Sequence, residues 1–148
     1  MSLIINDNVD VALKSGADGV HVGIEDVPVA EIRRRVPKDF IIGATAKTVE
    51  QAQAAEKAGA DYLGVGAVFP SPTKKNAVRI TAELLKEICG SVSIPAVAIG
   101  GISSENVMEI RGGGMKGIAV VSAIFAAENI ETATVRLKEK VRELLSIA

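Results

Sequence analysis

The stretch Lys57-Ala-Gly-Ala-Asp-Tyr-Leu-Gly-Val-Gly-Ala-Val-Phe69 decides the fold. It ends an Ala-rich helical segment, turns on Gly59, passes Asp61 and enters a run that is apolar throughout. Glycine tolerates the left-handed conformation that stops a helix. A strand that is apolar at every position, rather than at alternate ones, is covered on both faces, as in parallel sheets flanked by helices. Lys14-Ser-Gly-Ala-Asp-Gly-Val20 is a near copy, and Gly113-Gly-Met-Lys-Gly-Ile118 a looser third. Each marks the passage from a helix end to the next strand, which is fold grammar and not chemistry.

Six such β-rich runs punctuate the chain: Leu3–Ile5, Gly19–Val22, Phe40–Ala44, Tyr62–Phe69, Pro95–Gly100 and Gly117–Ile124. Helical segments fall between them. One starts after the N-cap type residue Thr48 and stops at Gly59. Val29–Val36 is short, basic and stopped by Pro37. Thr81–Cys89 and Ser104–Ile110 fit the same role. Glu128–Leu145 places Val135, Leu137, Val141, Leu144 and Leu145 on or near one face. Strand and helix thus alternate, which specifies βα units and an α/β class.

Two architectures compete, an open doubly wound sheet and a (β/α)8 TIM barrel. No Gly-x-Gly-x-x-Gly fingerprint follows the first strand, against a dinucleotide fold. Polar residues gather at strand ends, where barrels carry their chemistry. The 148 residues form a single domain, below the ~200 a closed barrel needs. The expectation is therefore a TIM-barrel type domain spanning residues 1–148, truncated at its N-terminus to about six βα units.

Composition excludes several functions. Apolar residues are 48% and charged residues 24%, with a net charge of -1, so the chain is neither disordered nor a basic nucleic-acid binder. Aromatics are 3% with no Trp, which disfavours base stacking. Cys89 is the single cysteine and cannot form an internal disulfide. No apolar run approaches the ~20 residues that span a bilayer, and no signal peptide is evident. A cytoplasmic protein without membrane partners is expected.

The strand-end residues suggest anion chemistry. Asp7 and Asp26 each follow a strand, with Glu25 beside the second. Two such carboxylates could hold Mg²⁺, which shares its shell with substrate phosphates; the commoner role of an Asp at such a place, and the one spacing alone favours, is to cap the next helix. Pro70-Ser-Pro-Thr-Lys-Lys-Asn-Ala-Val-Arg79 offers hydroxyls and ammonium groups to an anion, or forms a solvated turn. Gly100 and Gly101, paired with Val121-Ser122 at the next strand end, match the barrel phosphate site after the last two strands. His21, the lone histidine, reads as a hydrogen-bonded core residue. Cys89 reads as a packed thiol, and Tyr62 and Phe69 as packing.

In this order the residues resemble the thiamine-phosphate synthase (thiamine-phosphate pyrophosphorylase) family. The resemblance runs through Ile4-Ile-Asn-Asp-Asn-Val-Asp-Val-Ala12, Gly16-Ala-Asp-Gly-Val-His-Val-Gly-Ile-Glu-Asp26, Gly59–Phe69, Thr73-Lys-Lys75, Val97-Ala-Ile-Gly-Gly-Ile102 and Val120-Val-Ser-Ala-Ile124. It corresponds to the third through eighth strands of the family. It implies a transferase that joins an aminopyrimidine diphosphate to a thiazole phosphate and releases pyrophosphate. By the same resemblance Asn6 contacts the pyrimidine, and Asp7 and Asp26 bind Mg²⁺. Thr45 stands near the pyrophosphate, and Ser71 and Thr73 meet the thiazole phosphate side. Lys74 meets the diphosphate, so Lys74 and Thr45 are the catalytic candidates, while Gly101, Val121 and Ser122 hold the thiazole phosphate.

Departures from the family pattern are visible. The first two family strands are absent, with their Gln-x-Arg-x-Lys stretch. Ile24 replaces a usual Gln, Lys47 a usual His, and Ser71 a common Thr. A thiazole tautomerase, which shares the barrel, and a non-catalytic phosphate-binding fragment are the competing functions. An unclosed barrel leaves open sheet edges, so a homo-oligomer through those edges is expected.

Overall fold

The computed structural model describes residues 1–70 and 79–146. Six strands, β1 (Ile4–Asn6), β2 (Gly19–Val22), β3 (Ile41–Ala46), β4 (Tyr62–Val65), β5 (Ala96–Ile99) and β6 (Gly117–Ala119), pair in chain order. Every pair is parallel. The intervening helices are α1 (Val9–Lys14), α2 (Val29–Arg35), α3 (Val49–Ala58), α4 (Ala82–Gly90), α5 (Ser122–Phe125) and α6 (Ile130–Leu145), with a 3-10 turn at Val107–Ile110.

The register sorts side chains onto two faces, because successive residues of a strand alternate. One face carries Val20, Val22, Ile42, Ala44, Ala46, Leu63, Val65, Ala96 and Ala98, all buried. The helices cover this face. Val9, Ala12 and Ile32 pack on the β2–β3 side, and Ala52, Leu85, Ile88, Leu137 and Leu144 on the rest. Each fully buried Ile or Leu there contributes about 1.5–3 kcal/mol relative to exposure. The opposite face carries Asn6, His21, Ile41, Thr45, Tyr62, Val97 and Ile99, which are half-buried or exposed. Among the described residues, helices on one side of a parallel sheet make a half-barrel and leave its concave side uncovered. The six units expected are present and, as expected of so short a barrel, unclosed: among the described residues β1 and β6 do not pair with each other.

The repeated loop motif ties neighbouring units at their lower ends. Asp18 accepts from the Leu3 N–H at 2.7 Å, and Asp61 from the Ile42 N–H at 2.8 Å. Arg33 reinforces the second tie, donating to Asp61 at 2.7 Å and to the Phe40 and Gly59 carbonyls at 3.0 and 2.6 Å. Glu56 accepts from Ser93 N–H and Ile94 N–H at 2.7 and 2.9 Å.

Several sequence-based boundaries are corrected. The Tyr62–Phe69 run leaves the ladder at Val65, although Val68 N–H and Phe69 N–H still donate to Ile99 and Gly100 carbonyls. The Gly117–Ile124 run is a strand only to Ala119 and then turns into α5. Ser104–Ile110 is helical only as the 3-10 turn. Val135 and Leu145 of α6 remain exposed, leaving Leu137 and Leu144 as its buried pair. The short helix α1 lacks a counterpart among the expected segments.

Candidate functional site

Because all six strands are parallel, their C-terminal ends share one rim, and the strand-end residues converge there. Asp7 follows β1 in a tight turn, with φ 66 and an N–H that donates to the His21 carbonyl at 2.7 Å. Asp is one of the few non-glycine residues that accept this left-handed backbone. Asp26 lies in the loop after β2, where its Oδ2 accepts from the Gly23 N–H at 2.7 Å. Neither Asp caps a helix. Asn8 holds the α1 cap, accepting from the Val11 N–H at 3.0 Å, and Pro28 precedes α2. The capping alternative for the two carboxylates is therefore excluded by geometry.

Asp7 and Asp26 instead face each other. The hydrogen bond between the two carboxyl groups holds the Asp7 carboxyl above its ordinary range, with desolvation and the Asp26 charge adding in the same direction. Two carboxyls this close repel when both are ionised, and a proton or a divalent cation relieves that repulsion. Asn6 Nδ2 donates to Asp7 Oδ2 at 3.4 Å, at the open edge of the pair. Among the described residues no cluster of three or more His, Cys, Asp or Glu side chains could enclose a metal. A two-carboxylate donor set suits a hard cation such as Mg²⁺, which completes its shell with water and phosphate oxygens.

Across the same rim, Ile99, Gly100, Gly101, Ile102 and residues 119–122 line a cleft of about 370 Å³. Gly100 and Gly101 adopt φ of 105 and 61. A Cβ at Gly101 would lie 2.9 Å from the Phe69 and Pro70 carbonyl oxygens. Only glycine meets both demands. Ser122 is the first residue of α5 and Val121 precedes it; both are exposed. Asn106 braces the glycine loop, accepting from the Ser103 N–H at 2.8 Å and donating to the Gly101 carbonyl at 2.9 Å. Sequence reading missed Asn106; its spacing from Ser103, a side-chain acceptor three residues beyond the N–H it serves, was the available signal. A larger cavity of about 660 Å³ beside Lys86, Cys89 and Pro95 lies at the opposite ends of β5 and β6, away from these groups. Burial pushes the Cys89 thiol up, as befits a packed side chain.

Thr45 is half-buried on the concave face, one strand from His21. Its Oγ1 lies 3.1 Å from His21 Nε2, and His21 Nδ1 lies 3.0 Å from the Tyr62 hydroxyl. Burial pulls the His21 pKa down, against the raising pull of the Asp7 and Asp26 charges. Burial also pushes the Tyr62 phenol up. His21 is thus hydrogen-bonded at both nitrogens, as its sequence context suggests. Tyr62 is more than the packing residue expected, since its hydroxyl joins this network. The remaining anion candidates, Ser71, Thr73 and Lys74, lie outside the described residues.

Comparison with known proteins adds the family. The family model described as thiamine monophosphate synthase matches residues 1–124. The chain belongs to the thiamine monophosphate synthase family. A thiamine-phosphate synthase of Ruminiclostridium cellulolyticum is 49% identical over 137 residues, covering 93% of this chain and 65% of the relative. One of Pyrococcus abyssi is 48% identical over 141 residues, covering 95% of this chain and 68% of the relative. The solved thiamine phosphate pyrophosphorylase from Pyrococcus furiosus superposes with a TM-score of 0.87 at 46% identity, over 96% of this chain and 68% of that one. The chain therefore spans about two thirds of the length of these relatives. They are named as synthases, and nothing among them favours the tautomerase or the non-catalytic reading. No helix among the described residues is long and apolar enough to cross a membrane.

Proposed function

We propose that this chain carries the thiamine-phosphate synthase reaction, in which an aminopyrimidine diphosphate and a thiazole phosphate are joined and pyrophosphate leaves. The observation that supports this most is the Asp7–Asp26 carboxyl pair standing on the same rim as the Gly101–Ser122 cleft. Two anion-handling sites on one mouth suit a reaction with two phosphorylated substrates.

The chemistry asks little of acid–base groups. The thiazole nitrogen lone pair forms the new C–N bond to the pyrimidine methylene. The C–O bond to the diphosphate breaks, and its electron pair departs with pyrophosphate. The thiazole becomes a cationic ring, so no proton need be abstracted. A chain with one histidine can therefore serve. Catalysis rests on positioning and on stabilising the leaving charge. Asp7 and Asp26 would hold Mg²⁺, which when bound supplies positive charge to the diphosphate oxygens. Thr45, and Lys74 beyond the described residues, would bind the same group. Asn6 would contact the pyrimidine. Gly101, Val121 and Ser122, with Ser71 and Thr73, would hold the thiazole phosphate through N–H and hydroxyl donors.

The test is pyrophosphate release from the two substrates with Mg²⁺. Asp26→Ala should lower the rate about 100–1,000-fold, the scale on which removing one electrostatic group at a reacting centre acts. An unchanged rate refutes the assignment. The outer edges of β1 and β6, unpaired among the described residues, with Val121 and Phe125 72% and 70% exposed beside the latter, support self-association in solution. A monodisperse monomer in light scattering would count against it.

A further inference from the structure

Thr45 does not stand alone on the concave face. His21 reaches from β2 to Thr45 on β3, and Tyr62 reaches back from β4 to meet the His21 ring. The two ring centroids are 5.5 Å apart with a 36° tilt. Two glycines make room for the crossing. A Cβ at Gly43 would overlap the Tyr62 ring, and one at Gly64 would sit 3.1 Å from His21 Cε1. The arrangement depends on a Gly-x-Thr in β3 beside a Tyr-x-Gly in β4.

We propose that Tyr62 and His21 are positioning residues that fix the direction of the hydrogen bonds at Thr45, leaving the Thr45 hydroxyl proton available to an anion at the rim. The proposal rests on the reading of Thr45 as a group on the pyrophosphate side of the site. Counting protons carries it. In one arrangement Tyr62 O–H donates to Nδ1 and Nε2–H donates to Thr45 Oγ1, so the threonine proton remains free. In the other, Nδ1–H donates to the phenol and Thr45 O–H donates to Nε2. That leaves only lone pairs of Thr45 facing the mouth, which would repel a diphosphate.

Two facts favour the first arrangement. A phenol is the better donor and an imidazole nitrogen the better acceptor. Among the described residues, the Tyr62 hydroxyl has His21 Nδ1 as its only hydrogen-bond partner, so only the first arrangement gives the half-buried phenolic proton an acceptor among them. A doubly protonated ring also donates from Nε2, so the outcome at Thr45 does not depend on the ring's charge.

The lone histidine makes the test direct. In the ¹⁵N-labelled chain, imidazole ¹⁵N shifts report the tautomer with no ligand present. A ring protonated at Nε2 is expected, and a ring protonated only at Nδ1 overturns the proposal. Inorganic pyrophosphate with Mg²⁺ is the second probe. Its binding should move the His21 nitrogen resonances; binding that leaves them unmoved also overturns the proposal. Tyr62→Phe and His21→Leu should each weaken pyrophosphate about three- to tenfold, the scale of one net hydrogen bond. His21→Gln, whose amide N–H₂ can stand in for Nε2–H, should retain most of the binding. Equal losses in His21→Leu and His21→Gln would contradict the donor role. Failure of pyrophosphate to bind the parent chain refutes the functional reading instead, and the positioning proposal then stands or falls on the tautomer.

Discussion

Adding a single methyl to Gly43 should collapse the floor of the site. Gly43 lies on β3 directly opposite Tyr62 of β4, and the new Cβ would overlap the ring at Cζ and at the hydroxyl oxygen. Carbon atoms in contact settle ~3.5–4 Å apart, so the ring has to retreat by more than about 1 Å. The phenol is anchored at its far end by a 3.0 Å hydrogen bond to His21 Nδ1, and that bond breaks when the ring withdraws. Overpacking of this kind costs about 1–3 kcal/mol, and the lost hydrogen bond adds about 1 kcal/mol. Gly43→Ala should therefore destabilise the chain by roughly 2–4 kcal/mol. With an m value of about 2 kcal/mol per molar urea, the unfolding midpoint should drop by about 1–2 M. Gly90→Ala is the internal control. Gly90 ends α4, and an added Cβ there meets nothing within 4 Å. Its helix propensity should gain up to about 1 kcal/mol. The reasoning is refuted if Gly43→Ala shifts the midpoint no more than Gly90→Ala, or if its His21 ¹⁵N signals stay where they were.

Other expectations follow from the rim and from the ties below it. Asn8→Ala should cost about 1 kcal/mol through the lost α1 cap, while Asp7→Asn, which keeps a residue suited to φ 66, should not; thermal melts of both variants distinguish a cap from a ligand. The Asp7 carboxyl is held above its usual range chiefly by Asp26, so the folded state binds this proton more tightly than the unfolded chain. The resulting penalty is present at neutral pH and fades as pH falls through the raised value toward the ordinary carboxylate range. Asp26→Asn should accordingly raise Tm near neutral pH, flatten its acid-side change and blunt the stabilisation given by Mg²⁺; a lowered Tm at neutral pH would contradict this. Asp61→Ala should cost about 1–2 kcal/mol in urea unfolding, because the Ile42 N–H and Arg33 both lose their acceptor.

The sequence disclosed what depends on near neighbours. All-apolar runs announced parallel strands, but the cover expected on both faces is found on one: the helices bury Val20, Ile42 and Leu63, while His21, Thr45 and Tyr62 on the other face stay half-buried. Thr48, Thr81 and Gly59 marked helix ends that the backbone adopts. It was less informative where one composition serves two conformations. Gly117–Ile124 is apolar throughout, yet only its first three residues join the sheet before α5 begins. An aspartate after a strand suits both a cap and a cation, and composition could not separate the two. The presence of Asn8 and Pro28 at the cap positions rules out the cap. The link between His21 and Tyr62 joins residues 41 apart. It depends on strand register, and no local pattern contains it. The family resemblance supplied the rim assignments that spacing alone left open, and the half-barrel brings Asp7 beside Asp26 and Gly101 beside Ser122.

The carboxylate ties from Asp18 to Leu3 and from Asp61 to Ile42 join strand units that are adjacent in both chain and sheet order. Each newly formed strand can therefore be latched to its predecessor by a side chain from the loop just synthesised. Assembly along the sheet can follow translation without waiting for a remote partner, which keeps the entropy of loop closure small at every step. Slowing of refolding in Asp18→Ala and Asp61→Ala would then report the order in which the units are added.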